Sequence, residues 1–261
     1  MLLKNKNKTM IYPNGPLPAL PPRFAGLPSI DQNKCTNCSS PCIKECPTGA
    51  LSKNEKGLTA LDMGRCLFCR DCEEICPKGA IQFTKSPRLA AHKREDLIFT
   101  EKDPLPPLAI SPQAKTRYGK SLKRSCSLRV VSTGGCGACE ADTNVLTTLA
   151  WDLSRFGIHY VASPRHADGL IIIGPQTKNM REALKITYDA IPEPKFVIAL
   201  GTCAISGGLY ANTPECSRND EDIISVDLYI PGCPPHPLTI LDALLRYLGI
   251  PYKQDLAQKD R

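Results

Sequence analysis

Residues 127–139 read SLRVVSTGGCGAC, and how they fold decides the architecture of the second half of the chain. SLRVVST (127–133) is β-branched and apolar at alternate positions, so it predicts a strand. Two glycines and a C-x2-C pair follow where that strand would end. Residues 138–156 then predict a helix, with Val145, Leu146, Leu149, Leu153 and Phe156 on one face at i, i+3/i+4 spacing. The alternation continues with strands at 158–162, 169–174, 195–201 and 223–230. Helices are expected after Thr177 and from Pro237 to Leu248. Apolar β-rich runs separated by helices imply a parallel sheet covered on both faces.

The remaining cysteines of this half fall on that strand map. Cys136 and Cys139 follow the first strand, Cys203 follows the 195–201 strand and Cys233 follows the 223–230 strand. Ligands of open parallel sheets bind outside the carboxyl ends of the strands. Loops distant in sequence are therefore expected to bring these four thiols together on one edge. Cys139 lies near a helix N-terminus, which favours a thiolate. Gly134, Gly135, Gly137, Gly201 and Gly232 allow close backbone approach. Cys126 begins its strand at the opposite edge and reads as a core or free thiol. Cys216, in a polar loop, stays unassigned.

Upstream lies an internal repeat. Cys35, Cys38, Cys42 and Cys46 recur as Cys66, Cys69, Cys72 and Cys76, and each set ends in a C-P-x-G-A pentapeptide flanked by an aliphatic residue (Pro47 to Leu51, Pro77 to Ile81). Three thiolates from one tight loop, with a fourth before a proline that ligates the other cluster, is the pattern of two-cluster bacterial ferredoxins. That rule predicts one [4Fe–4S] cluster on Cys35, Cys38, Cys42 and Cys76. It predicts a second on Cys66, Cys69, Cys72 and Cys46. The first run encloses three residues, Ser39 to Pro41, between its second and third cysteines instead of two. Zinc ribbons also use paired C-x2-C motifs, but four cysteines within twelve residues, repeated, fit iron–sulfur ligation better.

The fold expected is thus two domains, an α+β bacterial ferredoxin-like module with two [4Fe–4S] clusters and an α/β flavodoxin-like parallel sheet. The segments expected are a Pro-rich basic arm at 1–30, the ferredoxin domain at 31–84, a basic Pro-rich linker at 85–124, the sheet domain at 125–250 and a polar tail at 251–261. Fourteen cysteines in 261 residues, with no apolar h-region near Met1 and no membrane-length apolar run, indicate a reducing cytoplasm where dense cysteines ligate metal. The net charge of +7 is uneven. Residues 1–34 hold five Lys/Arg against one acid, and residues 85–125 hold ten against four. No aromatic platform or groove-reading motif accompanies these tracts, so no nucleic acid is expected. Docking to partner subunits or an anionic membrane surface fits them, as does plain solvated linker charge.

Four motifs, GCGACE (135–140), SPRHAD (163–168), GTCAISGG (201–208) and IPGCPPHP (230–237), resemble one subunit family. It comprises the small subunits of membrane-associated, energy-converting [NiFe] hydrogenases of the formate hydrogenlyase type and the homologous cluster subunit of respiratory complex I. The resemblance implies a third [4Fe–4S] cluster on Cys136, Cys139, Cys203 and Cys233, beside a large catalytic subunit. It further implies other electron-transfer subunits or a soluble ferredoxin or formate dehydrogenase-type donor, and a membrane arm. The chain would then be cytoplasmic and peripherally membrane-associated, the electron-transfer subunit of an oxidoreductase, with no catalytic residue of its own. Gly137 and Ala138 separate the first two cysteines as in hydrogenases, whereas complex I subunits have them adjacent. The family's glutamate three residues after the second cysteine is Asp142 here, with Glu140 nearer; these two acids are the candidate proton path, or simply helix-start acids.

Arg165 and His166 could donate hydrogen bonds to cluster sulfurs or pair at the surface, and His236 reads as a helix-start or interface residue. The alternative function is the same relay in a nickel-free hydrogenase-related or complex I-like, quinone-linked oxidoreductase. A flavin-binding flavodoxin-like protein would need a phosphate loop where the sequence has Gly135 to Cys139. A zinc-bound structural adaptor is the remaining rival.

Overall fold

The computed structural model of the protein describes residues 9–35, 38–100, 125–216 and 224–250. The expected polar tail and residues 101–124 of the expected linker lie outside the described residues. In the first module the strands are β1 (Pro28–Ile30), β2 (Leu51–Lys53), β3 (Thr59–Asp62), β4 (Ile81–Phe83) and β5 (Ile98–Phe99), with single-turn helices α1 (Pro41–Lys44) and α2 (Asp71–Glu74). β1 pairs antiparallel with β4, and β2, β3 and β5 form an antiparallel sheet in that order. Ile30, Leu51, Leu61, Met63, Ile81 and Leu97 make the small core between them.

The second module holds β6 (Cys126–Ser132), α3 (Ala138–Val145), β7 (Ile158–Tyr160), β8 (Gly169–Ile173), α4 (Lys178–Ala190), β9 (Phe196–Leu200), α5 (Thr202–Ser206), β10 (Leu228–Ile230) and α6 (Pro237–Tyr247). Its five strands are parallel in the order β10-β9-β8-β6-β7. Counted within this domain that is 2-1-3-4-5, the flavodoxin-like order. Side chains alternate between two cores, as a pleat requires. Ile171, Ile173, Ile198 and Leu200 meet α6, while Leu170, Ile172, Val197 and Ala199 face the layer containing Leu184 of α4.

The helix expected over 138–156 ends at Val145. Thr147 and Thr148 donate their hydroxyls to the carbonyls of Asn144 and Val145, a local bonding that competes with helix continuation. Asp152 then takes a left-handed backbone and a 3-10 turn runs from Leu153 to Phe156. Leu149, expected on the apolar face, is 82% exposed. β10 likewise begins at Leu228 rather than 223.

β1 falls inside the stretch expected as arm, and β5 inside the stretch expected as linker. Both are recruited by pairing with other strands of the first module, β1 with β4 and β5 with β3. Of the stretch before β1, Met10, Tyr12 and Leu20 reach the second module, whereas Gly26 and Leu27 bond to Thr84 and Ser86 of the first. Met10 N–H donates to the Ala150 carbonyl, and Arg155 donates to the carbonyls of Met10 and Tyr12. Helix α6 is apolar nearly all round, and such a helix must be covered on both sides. The sheet covers one side, and Tyr12 and Ala90 join its core from outside the domain. Ala91 pairs with Tyr229, exchanging both backbone hydrogen bonds and capping the β10 edge of the sheet.

Candidate metal centres

In the ferredoxin-type module the repeat is also a repeat of backbone geometry. Ser40 and Arg70, equivalent positions, both take a left-handed conformation before α1 and α2. Gly49 and Gly79 sit at φ +60° and +56° with open space around them, so the conformation alone calls for glycine there. Each turn aims the following alanine at a sulfur. Ala50 N–H donates to Cys46 Sγ at 3.3 Å and Ala80 N–H to Cys76 Sγ at 3.2 Å. Phe68 N–H donates to Cys66 Sγ at 3.3 Å and Ser40 N–H to Cys38 Sγ at 3.4 Å.

The thiols line two separate concavities. Cys35, Cys38, Cys42 and Cys76 line one solvent-open concavity of about 340 Å³. Cys46, Cys66, Cys69 and Cys72 line another of about 380 Å³. Among the described residues no three His, Cys, Asp or Glu side chains converge as a single ion requires. Four thiols lining one concavity are the donor set that a [4Fe–4S] cluster takes. Burial and the neighbouring cysteines push the Cys72 thiol up to about 12 and raise those of Cys42 and Cys66. Burial also presses on Cys76, but the N–H groups of Ala80, Lys78, Ile81 and Gly79 outweigh it and hold that thiol below its ordinary value. Such thiols ionise together only against a cationic centre, which deprotonates its own ligands.

The second module gathers Cys136 and Cys139 after β6, Cys203 in α5 after β9, and Cys233 after β10. All lie beyond the carboxyl ends of parallel strands. Cys139 is raised by burial and by Cys233, Cys203 and Cys136 together. Cys203 is pushed up to about 11 by burial, Cys233 and Cys136. Gly201 closes this group tightly: its φ is +88°, and a Cβ there would stand 2.7 Å from Cys139 Sγ. Cys136 and Cys233 are exposed, so the group opens to the surface.

Glu140 lies in the first turn of α3, where its Oε1 accepts from Ser132 and its Oε2 is buried without a hydrogen-bond partner among the described residues. Asp142 lies two residues further on, its carboxyl pushed up by burial. Arg165 and His166 are exposed in a 3-10 turn after β7, and no hydrogen bond described here links them to a thiol. His236 caps α6, its Nδ1 accepting the Leu238 N–H. Cys126 is a buried core thiol. Cys216 is buried too and adds to the charge felt by Cys203. Sequence reasoning missed Thr202, whose hydroxyl reaches the Cys66 carbonyl. Its position beside Cys203 was the only signal.

Grouped thiols with backbone N–H groups turned to their sulfurs are the donor set of an iron–sulfur protein. The family model described as NADH ubiquinone oxidoreductase, 20 Kd subunit, matches residues 136–247, and a 4Fe-4S dicluster domain matches residues 34–81. The "Probable membrane-bound hydrogenase subunit" of Pyrococcus furiosus is 38% identical over 126 residues, 48% of this chain and 75% of that protein. An NADH-quinone oxidoreductase subunit of Desulfovibrio desulfuricans is 38% identical over 124 residues, 48% of this chain and 67% of that one. "Formate hydrogenlyase subunit 7" of Escherichia coli is 38% identical over 131 residues, covering 50% and 51%. The chain belongs to the NADH ubiquinone oxidoreductase 20 Kd subunit family, with a ferredoxin-type 4Fe-4S domain ahead of it.

Proposed function

We propose that the chain is the electron-relay subunit of a membrane-associated [NiFe] hydrogenase complex, holding three [4Fe–4S] clusters. Their ligands are Cys35, Cys38, Cys42 and Cys76; then Cys46, Cys66, Cys69 and Cys72; then Cys136, Cys139, Cys203 and Cys233. A bound cluster supplies one-electron uptake and release. The observation that carries this reading is the succession of the thiol groups. The first two share one module, and Cys69 of the second lies near enough to Cys233 of the third to help raise it, after burial and Cys136. In this reading the chain's own residues hold and orient the clusters, and the backbone N–H groups stabilise the thiolates.

Twelve of fourteen cysteines are then used, and the two left, Cys126 and Cys216, cannot supply the two C-x2-C pairs that hold nickel in hydrogenase large subunits. The catalytic metal therefore belongs to a partner. The family membership and the hydrogenase names among the relatives support that partner and a membrane arm. Among the described residues no helix is long and apolar enough to cross a membrane, and in this reading attachment runs through partner subunits. Glu140, with its unpartnered Oε2, and Asp142 are assigned to proton transfer toward the partner's site.

A second reading keeps the relay and places it in a nickel-free or complex I-like, quinone-linked complex. The family description and the NADH-quinone oxidoreductase relative favour it. Both are tested by anaerobic isolation with co-purifying partners, elemental analysis and dye-linked H2 oxidation. About twelve Fe per chain, from three four-iron clusters, with nickel and H2 activity is the result expected. Twelve Fe without nickel or activity selects the second reading, and zinc in place of iron removes both. Unchanged H2 turnover with Glu140→Gln and Asp142→Asn combined would withdraw the proton role.

A further inference from the structure

Thr202 opens α5 immediately before Cys203, and its side chain is 1% exposed at the contact between the two modules. Its hydroxyl lies 2.7 Å from the carbonyl oxygen of Cys66, a member of the second thiol group. The same hydroxyl is 3.1 Å from the carbonyl of Gly232, the residue before Cys233. Gly232 already receives the Thr202 N–H at 2.9 Å. A hydroxyl has one proton to give, and the shorter contact assigns it to Cys66, across the module boundary. The bond is buried and well inside hydrogen-bond range.

The chemistry at either end makes this contact more than a rivet. From Cys66 Sγ the path runs through that residue's own Cβ, Cα and carbonyl, then across the hydrogen bond. It continues through the Thr202 side chain and backbone to Cys203 Sγ. Every step is a covalent bond except the one at 2.7 Å. The other close approach, Cys69 to Cys233, lies between two exposed side chains, and no hydrogen bond described here joins them.

We propose that the Thr202 hydroxyl is the bridge by which electrons cross between the two modules. The proposal rests on the three-cluster reading above. In the step, one electron leaves the cluster held by Cys46, Cys66, Cys69 and Cys72, which is oxidised by one. It enters the cluster held by Cys136, Cys139, Cys203 and Cys233, which is reduced by one. No proton moves, and Thr202 is unchanged. Thr202 is thus a positioning residue that fixes the path between two ligand backbones.

The test uses the full chain, isolated anaerobically with its clusters. It is reduced by a light-activated donor and followed by freeze-quench EPR. Fully reduced wild-type protein should show three interacting spins; two would defeat the three-cluster reading itself, separately from the bridge. Thr202→Val keeps the shape and removes the hydroxyl. With iron content and dipolar splitting as in wild type, it should lose the fast phase of electron arrival at the third site, and Thr202→Ser should retain it. A wild-type rate in Thr202→Val overturns the bridge and leaves the Cys69–Cys233 gap as the route. Should valine alter the splitting, Thr202→Ser and Thr202→Ala, which differ only in the hydroxyl, decide by the same criterion: equal rates overturn the proposal, and loss in alanine alone upholds it.

Discussion

At the scale of single residues, His236 joins local chemistry to solution behaviour. Its Nδ1 accepts the Leu238 N–H at 3.1 Å, and its ring stands edge-on to Phe24 and Trp151. Burial holds its pKa below the ordinary histidine value of 6.5. Between that lowered value and 6.5 the unfolded chain binds the proton more readily than the folded one. The stabilising effect of a neutral His236 is therefore complete above pH 6.5 and is lost as pH falls through the lowered folded value. Protonation also removes the acceptor that caps α6. Thermal unfolding compared at about pH 7.5 and pH 5.5 should show a smaller acid-induced drop in Tm for His236→Asn, which keeps a capping oxygen without a charge. Equal drops in both proteins would discard this account. The cap itself was legible, since His236 precedes Pro237 at a helix start. Its aromatic neighbours were not, because Phe24 and Trp151 are far away in sequence.

At the scale of elements, α6 is held from outside as well as from the sheet. Asp242, fully buried in its middle, accepts from Arg246 Nε at 2.8 Å and from the Tyr12 hydroxyl at 2.8 Å. Arg88 Nε approaches the same carboxylate at 3.7 Å. One carboxylate thus ties the N-terminal arm and the connecting stretch to one helix. Removing it strands buried partners, so Asp242→Ala should cost about 3–5 kcal/mol. Tyr12→Phe deletes one hydrogen bond to a charged acceptor and should cost about 1.5–3 kcal/mol. Denaturant midpoints measure both, and a Tyr12→Phe protein as stable as wild type would show the arm to be merely laid on. The all-round apolar pattern of residues 237–248 held the signal for such a cover. It did not say which segment supplies it, because a proline-rich arm has no periodicity to read. The opposite error occurred at 138–156, where apolar spacing continues after threonine hydroxyls have ended the helix.

At the scale of the whole molecule, the modules are joined by more than a covalent connection. Ile205 and Tyr229 pack against both the ferredoxin core and one face of the sheet domain. Thr202 donates to Cys66, and Ala91 pairs with Tyr229. Arg94, on the connecting stretch, makes a two-pronged ion pair with Asp62 of β3. Independently mobile domains are the default for loosely joined modules, and these contacts oppose it. Calorimetry of the cluster-loaded chain should give one cooperative transition. Two transitions separated by several degrees would mean that the interface contributes little.

The cysteine spacings by themselves determined the ferredoxin-type repeat. A tight loop and its pentapeptide are local, and local geometry is written in neighbouring residues. The strand pattern likewise determined a parallel sheet with four thiols beyond its carboxyl edge, since a period of two and chain order suffice for that. Tertiary structure alone decided that Tyr12 covers α6, that β1 and β5 are drawn from the arm and the linker, and that Thr202 meets Cys66. Those contacts join residues more than a hundred positions apart, or segments without periodicity. Pairing and burial within the first module select the strands, and burial between the modules selects the other two contacts.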